Sequence, residues 1–205
     1  MKTKTESKQG IANANLNDEK IIDIRGELVF CRFDETTPHF DAIKEIYDYS
    51  FPDEERKPFS MILEGQNSGK MELFYVCHNG EPAALIFIIL GEPTDVLDYL
   101  AVGENFREHK IGSHILEWLQ TYRKRPFLVE IETTLHEHAA QADRRKRFYL
   151  SSAMQDCHTE IKLFGVPMEL MSWPKPVHYD DYEKVMSTYF EGNLSRYLSR
   201  YDQEN

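Results

Sequence analysis

At 205 residues the chain is long enough for one sizeable core, a domain taking roughly 150 residues, and 24 Lys plus Arg against 35 Asp plus Glu leave it a formal charge of −11. A field of that sign disfavours nonspecific attraction to nucleic acid and favours cationic small molecules as visitors. No run approaches the roughly 18 consecutive apolar residues of a membrane helix, the first twenty residues lack the apolar centre of a signal peptide, and Cys31, Cys77 and Cys157 form no CxxC pair. The expectation is a cytoplasmic protein with reduced thiols, no membrane or nucleic-acid partner and no thiolate metal site.

Residues 1–23 are polar and without period, and are expected to be mobile. Order should begin near Gly26. The run "GELVFCRF" reads as a short strand, and Phe40, Ile43, Ile46 and Tyr47 recur at helical spacing behind Pro38. The segment "FPDEERKPF" ends that helix and leads into a second around Phe59 to Glu64. In "MELFYVCHNGEPAALIFIIL", two β-rich runs flank Asn79-Gly80, a dipeptide suited to a tight hairpin whose central residues both need positive φ. A third strand, "DVLDYLAV", is followed by the turn "FREHKIGS" and a helix with Ile111, Ile115, Leu116, Leu119 and Tyr122 on one face. Then come the strand "PFLVEIET", the helix "AAQADRRKRFYLSSAM" and a closing pair of strands in "TEIKLFGVPMELMSW" with Gly165 at the turn. After Pro176, Tyr182, Val185, Met186, Tyr189 and Phe190 repeat helically, which indicates core packing or a dimer contact. The predicted organisation is a mobile segment 1–23, a domain 24–175 and a C-terminal helical extension 176–205, with the protein a monomer or homodimer.

The turn between the third strand and its helix has the makings of an anion site. The first N–H groups of a helix lack intrahelical partners, and the aligned peptides place about half a positive charge there. Arg107, His109 and Lys110 add side-chain charge, and Gly112 permits close backbone approach, so a diphosphate fits better than a lone carboxylate. Neither GxGxxG nor GxxxxGK followed by Ser or Thr occurs.

The stretch Arg107-Glu108-His109-Lys110-Ile111-Gly112 instead resembles motif A of the GNAT N-acetyltransferase superfamily, (Q/R)xxGx(G/A), with Lys110 in place of the first glycine. Downstream, "RRKRFYLSSAM" is similar to the family's helix that ends in Phe-Tyr; Ala153 and Met154 stand where Gly-Phe is common, and Ala142 where many members place a cofactor-binding Asn. Upstream, "FPDEERKP" resembles an FPxxERxP segment of some bacterial members. The resemblance runs from about Gly26 to Trp173. It implies an α/β (α+β) fold with a mixed, mostly antiparallel sheet of about six to seven strands flanked by helices. It also implies acetyl-CoA as acyl donor, no metal, and direct acetyl transfer to an amine of a small cationic molecule or a peptide. The pyrophosphate would lie on Arg107, Glu108, His109, Lys110, Ile111, Gly112 and Ser113, and the pantetheine arm along the backbone of Leu100, Ala101 and Val102.

In such a reaction a base takes a proton from the amine and an acid protonates the departing thiolate. The resemblance puts Tyr149 at the acid's position; the alternative is a ring that only packs along the cofactor channel. For the base, Glu130 and Glu132 share one face of "LVEIET", and Asp98 is a further candidate; Glu130 is preferred because it lies deeper in the strand. A water relay or a plain salt bridge remains open for all three. His136 and His138 lack a third ligand at a standard spacing, His114 reads as a helix-surface residue, and Glu55 and Arg56 as acceptor-pocket residues or a local ion pair. Two other readings stand beside the acetyltransferase: an acyl-CoA-binding or regulatory module without turnover, and a nucleic-acid-associated protein using "RRKR", which the net charge opposes.

Overall fold

A computed structural model describes residues 20–53, 56–133 and 139–200, and gives Glu108 and Ala139 by backbone alone. Residues 1–19, Glu55 and the pair His136 and His138 lie outside the described residues. The strands are β1 (Ile21–Arg25), β2 (Leu28–Arg32), β3 (Met71–His78), β4 (Glu81–Ile89), β5 (Asp95–Val102), β6 (Phe127–Glu132), β7 (Gln155–Leu163), β8 (Val166–Trp173) and β9 (Leu198–Arg200). The helices are α1 (Phe40–Ser50), α2 (Phe59–Asn67), α3 (Ile111–Tyr122), α4 (Ala139–Ser151) and α5 (Tyr179–Tyr189). All strands join one sheet in the order β1-β2-β3-β4-β5-β6-β8-β7-β9.

This is the expected mixed, mostly antiparallel sheet, with nine strands rather than six or seven. The two extra strands are short and at the edges. β1 begins at Ile21, before the expected onset of order, and its residues are largely exposed, so it carries little of the alternation that marks a strand in sequence. β9 has three residues and pairs with β7, so the C-terminal segment supplies a strand as well as a helix.

The Asn79-Gly80 turn is as expected: both residues have positive φ, 51° and 85°, and β3 and β4 run antiparallel away from it. Side chains alternate across the sheet with period two. One set, including Leu73, Tyr75, Leu85 and Phe87, packs with Ile43 of α1, Ile62 of α2 and Val185 and Met186 of α5. The other, including Phe74, Val76, Ile86 and Ile88, packs with Ile115, Leu116 and Trp118 of α3 and Tyr149 of α4. Helices therefore cover both faces, a three-layer arrangement.

The basic run Tyr122 to Arg125 is a latch in this architecture. Asp95, fully buried at the start of β5, accepts from Arg123 Nη2 at 2.6 Å and Nε at 3.0 Å, and from the Gly91 N–H at 3.0 Å. Arg125 lies 3.4 Å from its other oxygen. Pairing of this kind is what permits a carboxylate at such depth.

Candidate active site

The site opens where the sheet parts. Among the described residues β5 and β6 are its one parallel pair, and their register holds only for Asp95–Phe127 and Val96–Leu128, although both strands continue for several residues. Beyond Val96 the facing backbone groups of β5 have no strand partner on that side. The wedge so formed is the inner end of a cleft of about 780 Å³. Leu100, Ala101, Val102 and Arg107 line it, along with Gln141, Arg144, Arg145, Phe148 and Tyr149 on or beside one face of α4.

At the outer end of β5 the chain passes through a 3-10 helix, Glu104–His109, into α3. The intrahelical ladder of α3 starts when the His114 N–H donates to the Lys110 carbonyl at 3.2 Å, so the N–H groups of Ile111, Gly112 and Ser113 precede it. Lys110 caps the helix with φ 55° and ψ 19°, left-handed backbone that glycine takes without strain and an L-residue takes at a cost of about 1–2 kcal/mol. Ala153, the other position where the resemblance expects glycine, has φ 62°. Both departures thus keep the glycine-type backbone. The side chains of His109 and Lys110 are exposed, and His109 rests on His78 with ring centres 4.8 Å apart. Ile111 is turned into the core. A Cβ at Gly112 would stand 3.1 Å from the Phe148 ring, which lines the cleft, so a larger residue there asks that ring to shift.

The run Arg144 to Arg147 is resolved by helical periodicity, each side chain leaving α4 about 100° from the last. Arg144 and Arg145 face the cleft, and Arg145 also lies 3.3 Å from Glu132. Lys146 pairs with Asp156 at 2.8 Å and with Glu169. Arg147 pairs with Asp143 on its own helix at 2.6 Å. Tyr149 packs edge-on to Phe148 with centroids 5.0 Å apart, and burial pushes its phenol up to about 12, so it is a proton donor throughout the neutral range. Ala142, where the resemblance expects Asn, is buried, and the polar group that α4 offers the cleft nearby is Gln141.

Glu130 faces the cleft from β6. Burial, and after it the negative charge of Asp98, push its carboxyl up to about 7, opposed by the hydrogen bond from Tyr182 and the charge of Lys57. Tyr182 Oη donates to Glu130 Oε1 at 2.6 Å. Asp98 stands nearby at a β-bulge: Leu97 pairs with Ile88 and Tyr99 with Phe87, leaving Asp98 unmatched, a device that re-aims a side chain. It forms a buried ion pair with Lys57, whose Nζ also lies over the rings of Tyr189 at 5.1 Å and Tyr99 at 5.4 Å. The backbone of Lys57 is pinned as well, its N–H donating to Tyr99 Oη at 3.0 Å and its carbonyl accepting from Tyr47 Oη at 2.9 Å.

On the far side of these carboxylates a smaller cavity of about 90 Å³ shares Phe51, Asp98, Glu130 and Arg145 with the cleft. Lys57 and Tyr182 are partners of these carboxylates that the sequence reading missed. Lys57 belonged to a segment noticed only for its likeness, and Tyr182 to a helix assigned to packing; nothing local in either stretch points at Glu130. Other candidates stay outside the site. Arg56 pairs with Asp48 at 2.8 Å, a local structural role, and exposed His114 lies 3.4 Å from Glu117 on the surface of α3. Among the described residues no group of three His, Cys, Asp or Glu could hold a metal ion, and no helix is long and apolar enough to cross a membrane.

The family model described as Acetyltransferase (GNAT) family matches residues 38–149, just over half of the chain. Comparison with curated proteins by sequence gives no match. Among solved structures, one described as a GNAT-family acetyltransferase from Bacteroides thetaiotaomicron superposes with a TM-score of 0.67 at 21% identity, covering 85% of this chain and 98% of that one. An aminoglycoside 6'-N-acetyltransferase complexed with coenzyme A gives 0.55 at 17% identity, over 72% of this chain and 99% of that one. The ribosomal-protein-S18-alanine N-acetyltransferase from Escherichia coli gives 0.52 at 16%, over 75% and 97%. At these identities the superpositions speak for the fold.

Proposed function

The chain belongs to the GNAT acetyltransferase family, and from that premise we propose that it is an N-acetyltransferase that moves an acetyl group from acetyl-CoA to an amine of a small cationic molecule or a peptide. The observation that carries the reading is the meeting, in one cleft, of a parted β5–β6 pair, a helix N-terminus, a neutral buried phenol and a carboxyl whose proton affinity is poised near neutrality.

The residues fit the donor. Unpaired backbone along Leu100, Ala101 and Val102 suits the amides of a pantetheine arm. The N–H groups of Ile111, Gly112 and Ser113, with the backbone of Glu108 and the charges of Arg107, His109 and Lys110, suit a diphosphate. Arg144 adds a further cation from α4. When bound, acetyl-CoA supplies an acetyl group activated as a thioester.

Glu130 removes one proton from the acceptor's ammonium and later returns it to solvent. The freed nitrogen lone pair forms the C–N bond as the C–S bond breaks, and Tyr149 gives its proton to the leaving sulfur. The nitrogen's surplus proton then restores the Tyr149 phenol, directly or through water. The net products are an acetamide, free CoA thiol and one proton. A base with a proton affinity near pH 7 and an acid neutral at pH 7 match these two roles. Structurally similar proteins include a coenzyme A complex and N-acetyltransferases, which supports the choice of donor and bond.

The test is thiol release from acetyl-CoA across a panel of amines, with the acetamide identified by mass. Stoichiometric thiol and acetamide are expected. Tight acetyl-CoA binding with no release for any amine would instead leave an acyl-CoA-binding module.

A further inference from the structure

The small cavity beyond Asp98 and Glu130 has a carboxylate oxygen in need of a donor. Asp98 is 5% exposed, and its Oδ1 is held by Lys57, but Oδ2 is buried with no hydrogen-bond partner among the described residues. Leaving such an atom unmet costs free energy in any folded protein, the more so when it carries charge. The bulge that turns Asp98 out of register aims it where the small cavity and the large cleft meet. Glu130 reaches the same junction with Oε1 occupied by Tyr182. Beyond the carboxylates the lining is mixed: Leu163, Val166 and Met168 of β7 and β8 join Phe51 and Phe164 as its apolar part, and Lys57, Tyr99 and Arg145 are polar. The cations already in place, Lys57 inside and Arg145 at the junction, oppose entry of a second positive charge.

We propose that this cavity is the acceptor subsite and that it takes a primary ammonium on an unbranched, uncharged alkyl stem, with the ammonium seated between Asp98 Oδ2 and Glu130. The inference rests on the acetyl-transfer reading above and narrows it. An ammonium brings three N–H donors, enough for the orphaned oxygen and for Glu130, which accepts the proton. A cavity of about 90 Å³ admits a slim chain. A peptide N-terminus, branched at the carbon beside its nitrogen, fits it poorly, and a polyamine or aminoglycoside carries the second charge that Lys57 and Arg145 resist.

The experiment compares kcat/KM by thiol release for n-butylamine, tert-butylamine, putrescine and alaninamide, with acetyl-CoA affinity measured separately by calorimetry. n-Butylamine should exceed each of the others by roughly tenfold or more, the scale on which hydrophobic pockets discriminate. Asp98→Asn should raise the KM for n-butylamine by about tenfold or more with acetyl-CoA affinity unchanged. Should loss of the Lys57 pair prevent that variant from folding, Val166→Phe carries the test: it narrows the cavity without touching a charge, and should lower n-butylamine turnover while sparing ethylamine. Thiol release that is equal or faster with putrescine, tert-butylamine or alaninamide overturns the inference and leaves the acetyl-transfer reading standing. Failure to bind acetyl-CoA, or no release with any amine, overturns both.

Discussion

The two sides of the site are made of different material. On the side proposed for the donor, from Leu100 to Ser113, the available groups are backbone: the unpaired edge of β5 and the first N–H groups of α3, all within one contiguous stretch. On the side proposed for the acceptor they are side chains, Lys57, Asp98, Glu130 and Tyr182, brought from four distant segments into a buried charge cluster. The difference teaches where each side is vulnerable. Backbone sites are lost by obstruction, because a side-chain truncation leaves their donors in place. Charge clusters fail by subtraction, because each member is another's counter-charge or hydrogen-bond partner.

The contrast is tested most strongly by Tyr149→Phe, which removes one side-chain hydroxyl and leaves the backbone groups of β5 and α3 in place. Turnover should fall by roughly 100-fold to 10,000-fold, the usual range for a lost general acid, with acetyl-CoA affinity retained. Wild-type turnover would leave Tyr149 as a packing residue. Lys57→Met should cost about 3–5 kcal/mol, the scale for a buried pair stripped of one partner, read as a lower urea midpoint at unchanged slope. A stability change under about 1 kcal/mol would mean that the cluster does not depend on its members in this way.

Smaller effects sharpen the picture. With Glu130 pushed up to about 7 and needed as the carboxylate, kcat/KM should rise with pH through neutrality. The Tyr182 hydrogen bond favours the charged form, so Tyr182→Phe should raise the proton affinity of Glu130 and move that acid limb to higher pH, by about one unit. An unmoved limb would separate Glu130 from the rate. Smallest is Lys110→Gly, which relieves a left-handed residue and should add about 1 kcal/mol of stability while weakening acetyl-CoA binding at low salt, where the lost charge matters most.

The same contrast explains what could be read from the sequence. The strand, turn and helix N-terminus on the first side were legible because they follow one another along the chain, so Arg107 to Gly112 carries its physics locally. The Asn79-Gly80 hairpin and the apolar face of α3 were legible for the same reason. On the acceptor side the sequence offered Glu130 and Asp98 as carboxylates on neighbouring strands, without the bulge that aims Asp98. It gave no sign that Tyr182, spaced helically for the core, would donate to Glu130 from across the fold. Nor could it mark Ile21–Arg25 and Leu198–Arg200 as strands, since edge segments of three to five mostly exposed residues show too little alternation.

The proposed reaction requires acetyl-CoA to enter the wedge between β5 and β6 with its diphosphate at the turn before α3. Calorimetric titration of acetyl-CoA into the wild type and into Gly112→Asp examines this most directly. Aspartate there sets a negative charge at the helix N-terminus and drives an added side chain against Phe148. The account predicts saturable heat for the wild type, none for the folded variant, and a rise in wild-type stability of about 2.7 kcal/mol with ligand at 100 times its dissociation constant. Equal affinity in the two proteins, or no heat in either, would contradict it.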